Sequence, residues 1–162
     1  MVSLNSKERV IYIKKYVFLT LTFLWVFIIF YMSAKPGDES AKTSLKIVDV
    51  IVKELKLSDS QVDTAHFLVR KAAHFTEYFI LSLLVTRTYS EFYNRKLNIS
   101  FILLTCILVA ICDEYLQSFI DGRGSQVKDV LIDFSGSLTQ LLLLIYIKAR
   151  GTKIYRQNKY IE

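Results

Sequence analysis

The stretch Cys112-Asp-Glu-Tyr-Leu-Gln-Ser-Phe-Ile-Asp-Gly-Arg-Gly-Ser-Gln-Val-Lys-Asp-Val-Leu-Ile-Asp133 is a polar island between two apolar runs. Residues 97–112 leading into it and residues 134–147 after it carry no charge at all. Two such segments, one ending and the other beginning on acids, with Gly122-Arg123-Gly124 at the bend, predict a hairpin of membrane helices with a polar tip. The arms are expected at about residues 97–120 and 129–147, with Asp129 and Asp133 one turn apart near the start of the second.

Outward from the hairpin, helical periodicity runs from Ser58 or Ser60, either of which can cap it, to Tyr89. His66, Arg70, His74, Glu77 and Leu81 step by three or four and so share one face. Residues 72–86 are otherwise mostly apolar, so a polar stripe enters a membrane span expected at about 70–89. A short basic link with Arg95 and Lys96 leads to the hairpin.

Nearer the N-terminus, residues 16–34 form a run of 19 without a charge, close to the roughly 20 needed to cross a bilayer. Its apolar core is longer than that of a signal peptide, and Met32 is a poor small-residue match two before Ala34, so an uncleaved anchor is expected. Pro36-Gly37 ends that helix. Over residues 41–57, Leu45, Val48, Val52 and Leu55 recur at helical spacing, widened by Ile47 and Ile51, while Lys46, Lys53, Glu54 and Lys56 stay polar. This predicts an amphipathic helix on the membrane surface or on the bundle.

The expected fold is therefore an all-α integral membrane protein with four transmembrane helices and one amphipathic interfacial helix. Residues 1–15 are a basic lead-in, 16–148 the membrane domain and 149–162 a basic tail. Composition agrees: 52% of the 162 residues are hydrophobic, proline occurs once, and mean hydropathy is positive. The net charge of +6 does not point to nucleic acid, because the basic residues sit beside apolar runs and form no stripe with interleaved aromatics.

Cys106 and Cys112 are six positions apart on one helix, face different ways and cannot bridge each other. Both read as small buried apolar residues, and no zinc-type cysteine spacing occurs. Tyr78, Tyr115 and Trp25 read as packing or interfacial aromatics. No glycine-rich phosphate loop, Gly-x-Ser-x-Gly elbow or lipid-phosphatase serine and histidine signature is present, and no cofactor is assigned.

Four basic residues lie in the lead-in, three in the second link and five in the tail, against two at the hairpin tip. By the positive-inside rule both termini are cytoplasmic. Alternating direction then brings the start of the second span, the end of the third and the start of the fourth to one depth, in the outer leaflet. Ionised groups there need partners. Glu77, Asp113, Glu114, Asp129 and Asp133 are expected to find them in Arg70, Lys71, Arg123, Lys128 and His74.

These residues resemble the VanZ-like family of bacterial membrane proteins in two motifs. Arg70-Lys71-Ala72-Ala73-His74-Phe75-Thr76-Glu77-Tyr78 is similar to the family's R-K-x-x-H-x-x-E-Y, and Asp113-Glu114 with Gln117, Arg123, Asp129 and Asp133 to its D-E-x-x-Q, arginine and D-x-x-x-D. The resemblance covers about residues 32–144. It departs at Ser33-Ala34-Lys35-Pro36-Gly37, where Ser-Ser-Gln-Pro-Gly is frequent, and at Gln140, where a second small residue is usual beyond Gly136. The family's namesake is associated with resistance to teicoplanin, a glycopeptide acting on the outer face of the membrane. The resemblance thus implies membrane lipids as partners, with a lipid-linked cell-wall precursor or glycopeptide antibiotic as further candidates.

Three roles fit the cluster. His74, Glu77, Asp113 and Glu114 are the candidate catalytic acids and bases. Arg70, Lys71 and Arg123 suit a phosphate or carboxylate, joined by Gln117, Asp129 and Asp133 as binding residues. His74 and the acids also have the ligand types of a divalent-metal site. From sequence, a structural or binding network is placed ahead of catalysis, with a metal behind both.

Overall fold

The computed structural model describes residues 6–37, 48, 59–93 and 97–159. They form four helices: α1 (Ser6–Ser33), α2 (Asp59–Tyr93), α3 (Ile99–Gln117) and α4 (Val127–Lys159). Among the described residues there is no strand. The amphipathic helix expected over 41–57 lies outside the described residues, except for Val48, which is helical and fully buried.

Helix α1 begins inside the basic lead-in and ends at Ser33, just before Pro36. Helix α3 starts from Asn98, whose backbone is extended and whose side chain accepts from Phe101 N at 3.0 Å, the bond of an N-cap. It stops three residues short of the expected end at Ile120. There Ser118, Phe119 and Ile120 donate backward to Tyr115, Leu116 and Gln117 carbonyls, the tighter pattern that closes a helix. Gly122 turns the tip with φ 72°.

Cross-helix contacts give the directions. Tyr16 lies against Phe92, the Thr22 and Thr88 hydroxyls are 2.8 Å apart, and Trp25 Nε1 donates to Glu77 O at 3.0 Å, so α1 and α2 are antiparallel. Tyr89 against Phe101 and His74 beside Asp113 make α2 and α3 antiparallel too. Between α2 and α4 the rungs are Lys71 with Asp129, His74 with Asp133, Tyr78 with Ser137 and Ser82 with Gln140, which run parallel. The chain is an up-down-up-down bundle in which α2 and α3 each touch the other three helices.

The closest approach is between α2 and α4. A Cβ added at Gly136 would lie 2.2 Å from the Phe75 carbonyl oxygen, so the two backbones meet at a residue with no side chain. At the polar end Gly37 packs on Gly122 in the same way and donates to Asp121 O at 3.1 Å, tying the end of α1 to the hairpin tip.

Burial is inverted relative to a water-soluble bundle. Among the described residues, the buried side chains comprise nine hydrophobic and eleven polar or charged ones, while large apolar residues such as Phe23, Phe27, Leu104, Leu108, Leu131 and Leu142 face outward. In water that exposure would be costly; against lipid the buried polar groups are what need the protein's shelter. Helices α1, α3 and α4 are long and apolar enough to cross a membrane over Arg9–Ser33, Ile99–Gln117 and Val127–Gly151. Helix α2, at 35 residues, is long enough but carries its polar groups in mid-helix.

Cys106 is buried as expected, but Cys112 is exposed, which corrects its assignment as a buried residue. Six positions rotate the helix by about 240°, so burying Cys106 turns Cys112 outward. Both thiols are free.

Candidate functional site

The inner faces of α2, α3 and α4 build a polar column. Its deeper tier is Ser82, whose hydroxyl donates to Gln140 Oε1 at 2.9 Å and lies 3.1 Å from Ser137 O, while Ser137 Oγ donates to Tyr78 O at 3.2 Å. Ser82 and Ser137 carry no signal in the sequence, since an isolated serine in an apolar run gives none until its partner helix is known. Gln140, at the position where the motif departs from the family, is what the Ser82 hydroxyl binds.

Above that tier sit His74, Asp113, Glu114 and Asp133, with at most 7% of any of them exposed. One ligand-type atom from each lies within 4.8 Å of the other three. His74 Nδ1 is 3.2 Å from Asp133 Oδ1. Gln117 Nε2 donates at 3.1 Å both to Asp113 Oδ2 and to Ser33 Oγ, drawing the end of α1 into the network. Glu114 Oε2 accepts from Gln126 N at 2.8 Å, so this acid also caps the N-terminus of α4.

The outermost tier is cationic. Lys71 pairs with Asp129 and lies over the Phe67 ring. Arg123 donates from its guanidinium to Met32 O at 2.9 Å and Lys35 O at 3.1 Å. Burial lowers its pKa from the usual value, Asp113 opposes that shift, and the group stays charged. Arg70 is exposed, within electrostatic reach of Arg123. Glu77 is half-buried and feels the charges of His74, Asp113, Asp133 and Arg123.

The expected stripe of His66, Arg70, His74, Glu77 and Leu81 is rotated by about one position. The line facing α4 is Lys71, His74, Tyr78 and Ser82, because the close approach at Gly136 sets which side of α2 meets α4. Tyr78 is fully buried, in keeping with a packing role, and Tyr115 is 67% exposed. At the opposite end, an apolar crevice of about 470 Å³ between α1, α2 and α3 is lined by Val26, Val85, Tyr89 and Phe101 and takes no part in the cluster.

A family model described as VanZ/LLP1 matches residues 18–148, a stretch that contains every residue of all three tiers. The chain belongs to the VanZ/LLP1 family. The match extends the resemblance beyond 32–144 to most of α1, whose Ser33 and Met32 contribute to the VanZ-type cluster. No curated protein and no solved structure matches the chain.

Proposed function

We propose that this VanZ-family chain crosses the membrane four times with both termini in the cytoplasm, and that its polar column binds the anionic headgroup of a cell-envelope lipid or lipid-linked precursor at the outer leaflet. The four-span reading is supported by the contacts along α2. It lies beside α1 from Tyr16–Phe92 to Trp25–Glu77 and beside α3 from Tyr89–Phe101 to His74–Asp113. A helix that accompanies two apolar helices for their length crosses with them, and its neighbours shelter the polar groups that lower its hydropathy. Basic residues clustered in the lead-in, second link and tail support the orientation.

The observation that carries the binding reading is the order of charge along the column. The acids and His74 are buried and held by partners from three helices, whereas Arg70 sits exposed at the rim, with Lys71 and Arg123 just inside it. An arginine in that position offers a planar fork to a phosphate at headgroup depth. A contribution to glycopeptide resistance follows as part of the same proposal, since such drugs act at that face.

Arg70 is the residue to change, because Arg123 also holds the carbonyls of Met32 and Lys35 and its loss would disturb the fold. Native mass spectrometry of the purified protein with anionic envelope lipids and lipid-linked precursor should show a retained ligand. Arg70→Ala should weaken it about tenfold, the value of one charge-assisted contact, and reduce any teicoplanin protection the wild type confers. No retained lipid, or an unchanged affinity in Arg70→Ala, would refute the reading. The second result is what a purely structural cluster predicts, a reading favoured by the rungs that join α2 to α4.

A further inference from the structure

The His74, Asp113, Glu114 and Asp133 set has a feature that helix packing does not require. Each carboxylate is anchored through one oxygen and bare at the other. Asp113 Oδ2 is held by Gln117, Glu114 Oε2 by Gln126 N, and Asp133 Oδ1 by His74. Asp113 Oδ1, Glu114 Oε1 and Asp133 Oδ2 are buried with no hydrogen-bond partner among the described residues. An orphaned buried acceptor is costly, and three in one cluster are more so.

The neighbouring cations are already committed. Lys71 pairs with Asp129, and Arg123 is spread over the carbonyls of Met32 and Lys35. What three bare oxygens lack is a single positive centre among them. An ion bound at about 2.0–2.2 Å holds adjacent ligand atoms about 3–3.5 Å apart and opposite ones about 4.2 Å apart. The four ligand-type atoms, all within 4.8 Å of one another, are gathered closely enough to draw in around one such ion.

The geometry points to a divalent transition-metal site formed by His74 of α2, Asp113 and Glu114 of α3 and Asp133 of α4. An imidazole with carboxylates suits ions from manganese to zinc, whereas Ca²⁺ and Mg²⁺ favour all-oxygen shells. Gln117 and the Gln126 backbone then act as outer supports that orient the ligating carboxylates. The site goes beyond the lipid-binding reading and does not depend on it, because Arg70 and Arg123 are not ligands.

The test uses the full chain purified in detergent from cells grown with added manganese and zinc. Elemental analysis should find about one transition ion per chain. A chelator should remove it and lower the melting temperature, and Mn²⁺ or Zn²⁺, but not Ca²⁺, should restore it. Asp113→Asn and Asp133→Asn should lose most of the ion, and Cys112→Ser, on the exposed face, should keep it. A metal-free wild type whose melting is indifferent to chelator and to added Mn²⁺ or Zn²⁺ overturns the assignment, as does full metal content in both asparagine variants. Because the wild-type measurement stands alone, misfolding of a variant does not rescue the proposal.

Discussion

Gly136→Val is expected to abolish recovery of folded, monodisperse protein, and Gly136→Ala to lower its melting temperature. The cause is local and steric. A Cβ at position 136 falls 2.2 Å from the Phe75 carbonyl oxygen and 3.2 Å from Phe79 N, and both neighbours are backbone atoms that no rotamer change can move. Overpacking of that kind costs about 1–3 kcal/mol for one added methyl. A β-branched side chain adds more and separates α2 from α4, the pair with the most extensive contact in the bundle. Lipid gives these helices no hydrophobic drive to reassociate at a larger distance, so close packing is what holds them. Gly124→Ala is the control, since nothing lies within 4 Å of a Cβ there. Thermal unfolding in detergent with size-exclusion profiles measures all three; a Gly136→Val protein as stable as the control would contradict the packing described.

The second large effect is at the pair of His74 and Asp133, which are 7% and 0% exposed. Replacing either by alanine leaves the other buried without its partner, and breaking a buried pair costs about 3–5 kcal/mol. Both single variants should therefore be strongly destabilised. The double variant should fall well short of the sum, because the second substitution removes a group the first has already orphaned. A double-mutant cycle by thermal or denaturant unfolding reads the coupling directly. Strictly additive losses would mean that the two side chains do not depend on each other.

The helical class and the hairpin were legible because charge in an apolar run is costly, so its placement marks where spans begin and end. Asp113, Glu114, Gln117, Asp129 and Asp133 come out buried at one end of the bundle for that reason. Asn98, the cap of α3, is a finding of the structure. The exact face of α2 was not readable. Sequence spacing gives the width of a stripe, but the one-residue rotation that turns Lys71 and Tyr78 rather than Arg70 and Glu77 toward α4 comes from Gly136 meeting Phe75, a contact 61 residues away in the chain. Ser33 was hidden for the same reason: its polar partner, Gln117, is 84 residues distant. Cys112 departs from the buried expectation because its rotation from Cys106, and not its residue type, decides which way it faces.

Convergence of the three helices' charges at the outer face is tested most directly by crosslinking from outside the cell. In a chain carrying Cys106→Ser and Cys112→Ser, cysteines replace Lys71 and Asp129, which meet in the rim tier. A membrane-impermeant bifunctional thiol reagent applied to intact cells should join the two positions within one chain. Crosslinking only after the membrane is opened would put the cluster on the wrong side, and its failure even then would mean that α2 and α4 do not bring these groups together.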